Sequence, residues 1–190
     1  LLVETEIDGE PLDRRHLLGT CFLLLLAGID TTWSAIGSSL WHLATHPEDQ
    51  ARLRAEPDLI DSAVEELLRV YSPVTMAREV IADVDVAGCP TKPGDKVPMS
   101  FPAANRDPAQ FENPDEFIID RERNRHVAFG SGIQRCLGSN LARMELRVAI
   151  QEWLTRIPTF ELADPAAVTW TGGQVRGPRT IPVRWSATQP

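Results

Sequence analysis

The stretch Phe129-Gly130-Ser131-Gly132-Ile133-Gln134-Arg135-Cys136-Leu137-Gly138 decides how this chain is read. Two glycines one residue apart give the backbone conformations denied to other residues and let it come close to something flat. Cys136 follows them, and a strong helical pattern runs from Leu141 to Ile157 immediately afterwards, with Leu141, Leu146, Ile150 and Trp153 on one stripe. Free N–H groups near Leu137 and Gly138, at the entrance of that helix, favour an anion, so Cys136 is suited to act as a thiolate metal ligand. On the residues alone, a buried structural thiol accounts for it equally well.

Upstream, Leu17 to Ile29 is a nearly unbroken apolar run inside a helix expected from Arg14 to about His46, capped by Asp13 and stopped by Pro47. Five acidic residues (Glu4, Glu6, Asp8, Glu10, Asp13) precede the run, no small-x-small cleavage site follows, and thirteen residues rise only about 20 Å. It is therefore read as a core helix buried on all sides, neither a leader nor a membrane span. Within it, Ala27-Gly28-Ile29-Asp30-Thr31-Thr32 places a carboxylate and two hydroxyls where burial is costly. Either they have a task, or Asp30 pairs with an arginine and Thr31 bonds back to a helix carbonyl.

Further along, a short helix is expected from Pro47 to about Ala55, and another, capped by Asp58 or Asp61, reaching Val70. Glu66 and Arg69 stand three apart on one face of the latter, a spacing that most often marks a surface ion pair. Met76–Ile81, Val84–Val86 and Lys96–Met99 read as strands of one small sheet after an opening turn at Asp8-Gly9 and before an irregular stretch, Phe101 to Ile133, with one helical turn near Pro114 to Phe117. Short strands are expected again around Gly172-Gly173 and Gly177-Pro178. The fold class is mainly α with small β-sheets.

Composition narrows the function. Among 190 residues, 19 Lys+Arg against 27 Asp+Glu give a net charge of −8, which argues against nucleic acid as a partner. Three scattered cysteines make no disulfide framework and fit a reducing, cytoplasmic location. No Cys-x-x-Cys, third dinucleotide-type glycine or Gly-x-Ser-x-Gly elbow is present.

Taken together, these motifs and their order resemble the C-terminal half of the cytochrome P-450, or haem-thiolate monooxygenase, superfamily, from Arg14 to Trp185. Phe129, Gly130, Gly132, Cys136 and Gly138 match its cysteine signature, and Ala27, Gly28, Asp30, Thr31 and Thr32 match its oxygen-activating helix pattern. The resemblance implies haem b (iron protoporphyrin IX) with Cys136 as axial ligand, Asp30 as proton relay and Thr31 as the hydroxyl at the oxygen site. It implies a buried structural triad of Glu66, Arg69 and Arg121, and Arg78 holding a haem propionate. Val74, Thr75 and Met76, with Gln174 and Val175, would face substrate. Gln134 stands where the family usually has His or Arg, so a charge-assisted bond to a propionate becomes an ordinary one.

The implied activity is insertion of one oxygen atom of O2 into a small apolar organic substrate, with electrons from a ferredoxin- or flavodoxin-type donor. A peroxide-using or isomerising haem-thiolate enzyme is the alternative, and a haem-free helical interaction module the rival from another class. Six arginines against three carboxylates between Asp120 and Arg147, a net of +3, suggest a basic docking patch around Cys136 or simply a solvated face. Residues 1–190 would be the C-terminal part of one catalytic domain, with the N-terminal half absent and the isolated piece inactive.

Overall fold

The computed structural model describes residues 2–185. In chain order, the elements are β1 (Glu6–Ile7), β2 (Glu10–Pro11), α1 (Arg14–Thr45), α2 (Pro47–Ala55), α3 (Ile60–Val70), β3 (Thr75–Glu79), β4 (Val84–Val86), β5 (Cys89–Thr91) and β6 (Lys96–Ser100). They continue with α4 (Phe101–Ala104), α5 (Ser139–Arg156), β7 (Phe160–Leu162), β8 (Thr169–Thr171), β9 (Gly177–Thr180) and β10 (Val183–Trp185). Asp13 caps α1 as expected, its carboxylate accepting from the His16 N–H at 2.8 Å. Neither Asp58 nor Asp61 caps α3; a short 3-10 turn, Pro57–Leu59, leads directly into it and supplies the local geometry instead.

The core lies between the C-terminal third of α1, α3 and α5. Leu43, Ala63, Leu67, Leu146 and Ile150 are all buried there. On α5 the buried stripe is Leu146, Ile150 and Leu154, whereas Leu141 is exposed and Trp153 only partly covered. The expected stripe is therefore one residue off at its C-terminal end, and at its N-terminal end Ser139 is buried in place of Leu141. Gln50 of α2 is fully buried and fully used: its amide donates to the Leu43 and Phe160 carbonyls and accepts the Phe160 N–H at 3.1 Å. Arg54 donates to the Leu154 and Ile157 carbonyls and so closes the C-terminal end of α5.

The strands do not form one small sheet. Among the described residues they pair as separate antiparallel two-stranded sheets, β1 with β2, β3 with β6, β4 with β5, β7 with β10 and β8 with β9. The β4–β5 hairpin interrupts β3 and β6, which pair across it with Thr75 opposite Ser100 and Glu79 opposite Lys96. No helical turn occurs at Pro114–Phe117; the short helix of this region is α4, opened by Ser100, whose hydroxyl accepts from the Ala103 N–H.

The largest departure concerns α1. Its run from Leu17 to Ile29 was expected to be buried all round, yet Phe22 is 66% exposed, and Leu18, Leu23 through Leu26 and Ile29 are exposed as well. By length and composition this helix could cross a membrane. Its C-terminal third is packed under protein, carrying buried Ser34, Ser38, Ser39 and His42. Nothing in the described chain lies over the apolar half, which is why periodicity alone mistook apolar character for burial.

Candidate active site

Glu66 and Arg69 occupy successive turns of α3 and both side chains are 0% exposed. Arg69 donates from Nε to Glu66 Oε2 and from Nη2 to Oε1, each at 2.8 Å. Arg121 Nε lies 3.0 Å from both Glu66 oxygens, so the three residues of the expected triad meet. Asn124 Nδ2 and the Ile118 N–H complete the carboxylate's shell at 2.9 and 3.0 Å. Burial alone would push the Glu66 carboxyl up, but these donors win and hold it below the usual carboxylate range. The remaining arginine donors reach backbone: Arg69 the carbonyls of Asn105, Pro114 and Glu116, and Arg121 those of Glu112, Asn113 and Glu116. The long irregular stretch is thus organised by two guanidinium groups that satisfy its carbonyls.

The segment so organised leads into the cysteine loop. Gly130 and Gly132 adopt φ +71° and +65°, the left-handed region that favours glycine. At Gly130 a Cβ would also come within 3.4 Å of the Gln134 carbonyl. The Cys136 N–H donates to the Phe129 carbonyl at 2.8 Å and closes the loop, and Gly138 then stands at the N-cap of α5. Cys136 is a free, exposed thiol. Ile133 and Leu137 beside it are 99% and 92% exposed, so the sulfur sits in an uncovered apolar surround. Gln134 is exposed on the same loop.

On α1, the Thr31 hydroxyl donates to the Ala27 carbonyl at 2.6 Å, and a Cβ on Gly28 would meet no atom within 4 Å. Asp30 is held by Arg179 of β9, with Nη1 donating to Oδ1 at 2.6 Å and Nη2 to Oδ2 at 3.4 Å. Arg179 is steadied in turn by the Thr171 hydroxyl at 3.1 Å, and its hydrogen bond to Asp30 raises its own pKa. Of the two alternatives the sequence left open, the structure shows the second, Asp30 paired with an arginine and Thr31 bonded back to a helix carbonyl; which arginine was not legible, because Arg179 is 149 positions away. The β8–β9 hairpin lies directly against α1: a Cβ on Gly177 would stand 2.4 Å from the Ser34 Cβ.

That hairpin also carries the residues expected at the substrate. Val74 bridges Val175, and the Thr75 N–H donates to the Gln174 carbonyl at 2.9 Å. Gln174 Nε2 stands 4.0 Å from Met76 Sδ. The five residues Val74, Thr75, Met76, Gln174 and Val175 therefore come together, and Thr75, Met76 and Gln174 line an open groove of about 470 Å³ with Ala77, Pro98 and Gly173. Arg78, on the same strand, lies opposite Val97 and its guanidinium reaches the Ala77 carbonyl at 3.0 Å.

The basic patch is smaller than the sequence count suggests. Arg121 is spent on Glu66, Arg143 makes a forked pair with Glu65, and Arg147 lies 3.8 Å from Asp61. Among the described residues, Arg123, Arg125 and Arg135 are exposed without a carboxylate partner, and Arg147 is exposed too, beside the likewise exposed Asp61.

Comparison with known proteins agrees with this geometry. Residues 1–165 match the family model described as Cytochrome P450. The chain is 39% identical over 185 residues to a probable cytochrome P450 127A1 of Sinorhizobium fredii, covering 97% of this chain and 45% of that protein. It is 46% identical over 184 residues to cytochrome P450 105C1 of a Streptomyces species, covering 94% and 48%. Among solved structures, cytochrome P450 CYP101C1 superposes with a TM-score of 0.91 at 42% identity, over 97% of this chain and 48% of that one. The chain belongs to the cytochrome P450 family, and it spans about half the length of the curated relatives it matches.

The family's cofactor is haem b, and the residues present fit it. No group of three or more metal-ligating side chains exists among the described residues, so a metal held by protein alone lacks ligands here. One exposed thiol on a loop closed by the Phe129 carbonyl, with exposed Ile133 and Leu137 near it in the chain, suits a metal that brings its own planar ligand set.

Proposed function

We propose that this chain is the C-terminal part of a single haem-thiolate domain, and that the whole protein is a monooxygenase that inserts one atom of O2 into a small apolar organic substrate. The observation that carries the reading is the Cys136 loop, closed by the Phe129 carbonyl, shaped by two left-handed glycines and leading straight into α5. Cys136 would hold the iron through its sulfur, with Phe129, Gly130, Gly132 and Gly138 shaping its loop, and Ala27, Arg78 and Gln134 would be further haem-binding residues, the last two serving the propionates. Bound there, the haem supplies activation of molecular oxygen, with the thiolate's electron donation favouring O–O cleavage.

The chain's own task is to deliver protons and orient substrate. Asp30 is 35% exposed on its side chain, so it can exchange a proton with solvent. It stands about 100° round α1 from Thr31, so delivery to the Thr31 hydroxyl would run through intervening water. The Thr31 hydroxyl donates a hydrogen bond to the Ala27 carbonyl at rest, which leaves its oxygen lone pairs free to accept another. Arg179 fixes the Asp30 carboxylate, and relay requires that this pair open. The Val74–Met76 and Gln174–Val175 segments form one wall of the substrate site, where apolar Val74, Met76 and Val175 favour an apolar molecule. Electrons would come from a ferredoxin- or flavodoxin-type donor at the cysteine side, where exposed Arg123, Arg125 and Arg135 offer the positive charge.

A cytoplasmic location is the reading that three free cysteines and the packing of the C-terminal third of α1 under protein support. The test is turnover of the full-length protein under 18O2 with a ferredoxin reductase system and a panel of apolar substrates. Product carrying one labelled oxygen supports the reading; product labelled only from peroxide, with none from O2, would place the protein among peroxide-using relatives.

A further inference from the structure

Three side chains with no part in the chemistry above converge beneath the cysteine loop. Glu65 of α3 receives a forked pair from Arg143, one turn into α5, with Nε 2.5 Å from Oε1 and Nη2 2.9 Å from Oε2. The same carboxylate lies 3.0 Å from His126 Nε2. A carboxylate only accepts, so Nε2 carries the imidazole proton and Nδ1 is left as an acceptor; the Ala128 N–H donates to it at 3.2 Å. Above this pair, the Arg143 guanidinium lies 4.6 Å from the centroid of the Phe129 ring. Phe129 is the residue whose carbonyl holds the Cys136 N–H.

From one carboxylate, then, two routes reach the residue that fixes the cysteine. One runs through His126 to the backbone just before Phe129, and the other through Arg143 to the face of its ring. Both start on α3, a helix rooted in the core beside the Glu66 triad, so the loop takes its position from the most buried part of the molecule. His126 is itself 2% exposed, which leaves its ring no alternative hydrogen-bond partner in water.

We propose that Glu65, Arg143 and His126 form a positioning clamp that holds the Cys136 sulfur where a haem iron requires it. The proposal rests on Cys136 being the axial ligand. The clamp also removes Arg143 from any surface that greets an electron donor, because its fork is occupied and its plane is covered.

The test uses the haem-loaded full-length protein with Glu65→Gln, which keeps the shape and removes the charge, and Arg143→Lys, which keeps the charge and removes both fork and planar face. Cys136→Ser is the control. Two quantities are read on the folded, haem-loaded fraction: the share of the thiolate-type Soret band in the reduced carbon-monoxide complex, and the rate of haem transfer to apomyoglobin. Melting temperature is measured separately. The clamp predicts a reduced thiolate share in both variants and haem loss about 10- to 100-fold faster, the usual effect of removing an outer partner of a metal ligand. A wild-type band share and transfer rate in both variants, even with a lower melting temperature, overturns the clamp while Cys136→Ser still abolishes the band. Retention of the band in Cys136→Ser overturns the ligand assignment and the clamp with it. Should Glu65→Gln fail to fold, Arg143→Lys decides alone.

Discussion

Glu66 accepts from four separate groups, Arg69, Arg121, Asn124 and the Ile118 N–H, and its removal would strand two guanidinium groups at once. Breaking a buried charge pair by deleting one partner costs about 3 to 5 kcal/mol. Glu66→Gln should lower the unfolding free energy of the full-length protein by that amount in urea titrations, and a loss below about 1 kcal/mol would contradict a structural role. At Gln134 the expectation has the opposite sign. Histidine there converts an ordinary hydrogen bond into a charge-assisted one, a gain of roughly 1 kcal/mol or about fivefold in haem retention. Equal haem-transfer rates for Gln134→His and wild type would remove the argument.

Individual residues also mark what a sequence can convey. Asp13 was legible as a cap and the glycines around Ser131 as a turn, because local backbone rules suffice for both. The burial of Glu66 and Arg69 was not readable from their i, i+3 spacing, which is the same on a surface helix. Nor was Arg179, whose meeting with Asp30 depends on β9 folding back across α1.

Among elements, α1, α2 and the end of α3 are joined by a half-buried hydrogen-bond chain, centred on buried His42, that spacing could not reveal. The Tyr71 hydroxyl lies 2.8 Å from His42 Nδ1, and His42 Nε2 lies 2.9 Å from Asp49. The carboxylate places the proton on Nε2, so Tyr71 donates to Nδ1. Burial, helped by the stacked His46, pushes His42 down from 6.5 to about 3, and burial pushes the Tyr71 hydroxyl up to about 12. The unfolded chain therefore takes up a proton near pH 6.5 that the folded one refuses until about pH 3. Stability from this site is complete above pH 6.5 and falls as pH drops, by at most about 1.4 kcal/mol per unit, less whatever Asp49 gives back to the protonated ring.

Glu65 adds a second acid-sensitive step. Burial pushes its carboxyl up, but the hydrogen bonds from His126 and Arg143 outweigh this and hold it at about 2, so its contribution is present above its ordinary 4.5 and fades toward 2. Urea midpoints of the full-length protein at pH 7.5, 6 and 5 should fall steadily, and His42→Asn should flatten that fall. Identical slopes in the two proteins would show that His42 is not the group responsible. Helix boundaries were legible here because Pro47 and Ser72-Pro73 punctuate the chain. Strand pairing was not, since β3 meets β6 only after an intervening hairpin has formed.

At the scale of the whole molecule, the described chain is a packed core with one uncovered side. The exposed half of α1, the apolar flanks of Cys136 and the open groove beside Met76 leave apolar surface in contact with water. A chain of these 190 residues expressed alone should self-associate with rising concentration, and Leu24→Lys with Leu25→Lys should reduce the association in sedimentation experiments. A monodisperse monomer for the unmodified chain at high concentration would contradict this. The sequence misjudged this side because a helix that is apolar all round signals a cover without naming what supplies it.

The claim on which the rest depends is that Cys136 binds haem iron through its sulfur. Its most direct test is the carbon-monoxide difference spectrum of the dithionite-reduced, haem-loaded full-length protein beside Cys136→Ser. The red-shifted thiolate Soret band in the wild type, lost in the variant, is the predicted result. A histidine-like band in both proteins would contradict the assignment by giving the iron another ligand, and no haem-dependent band in either would return the chain to a haem-free helical module.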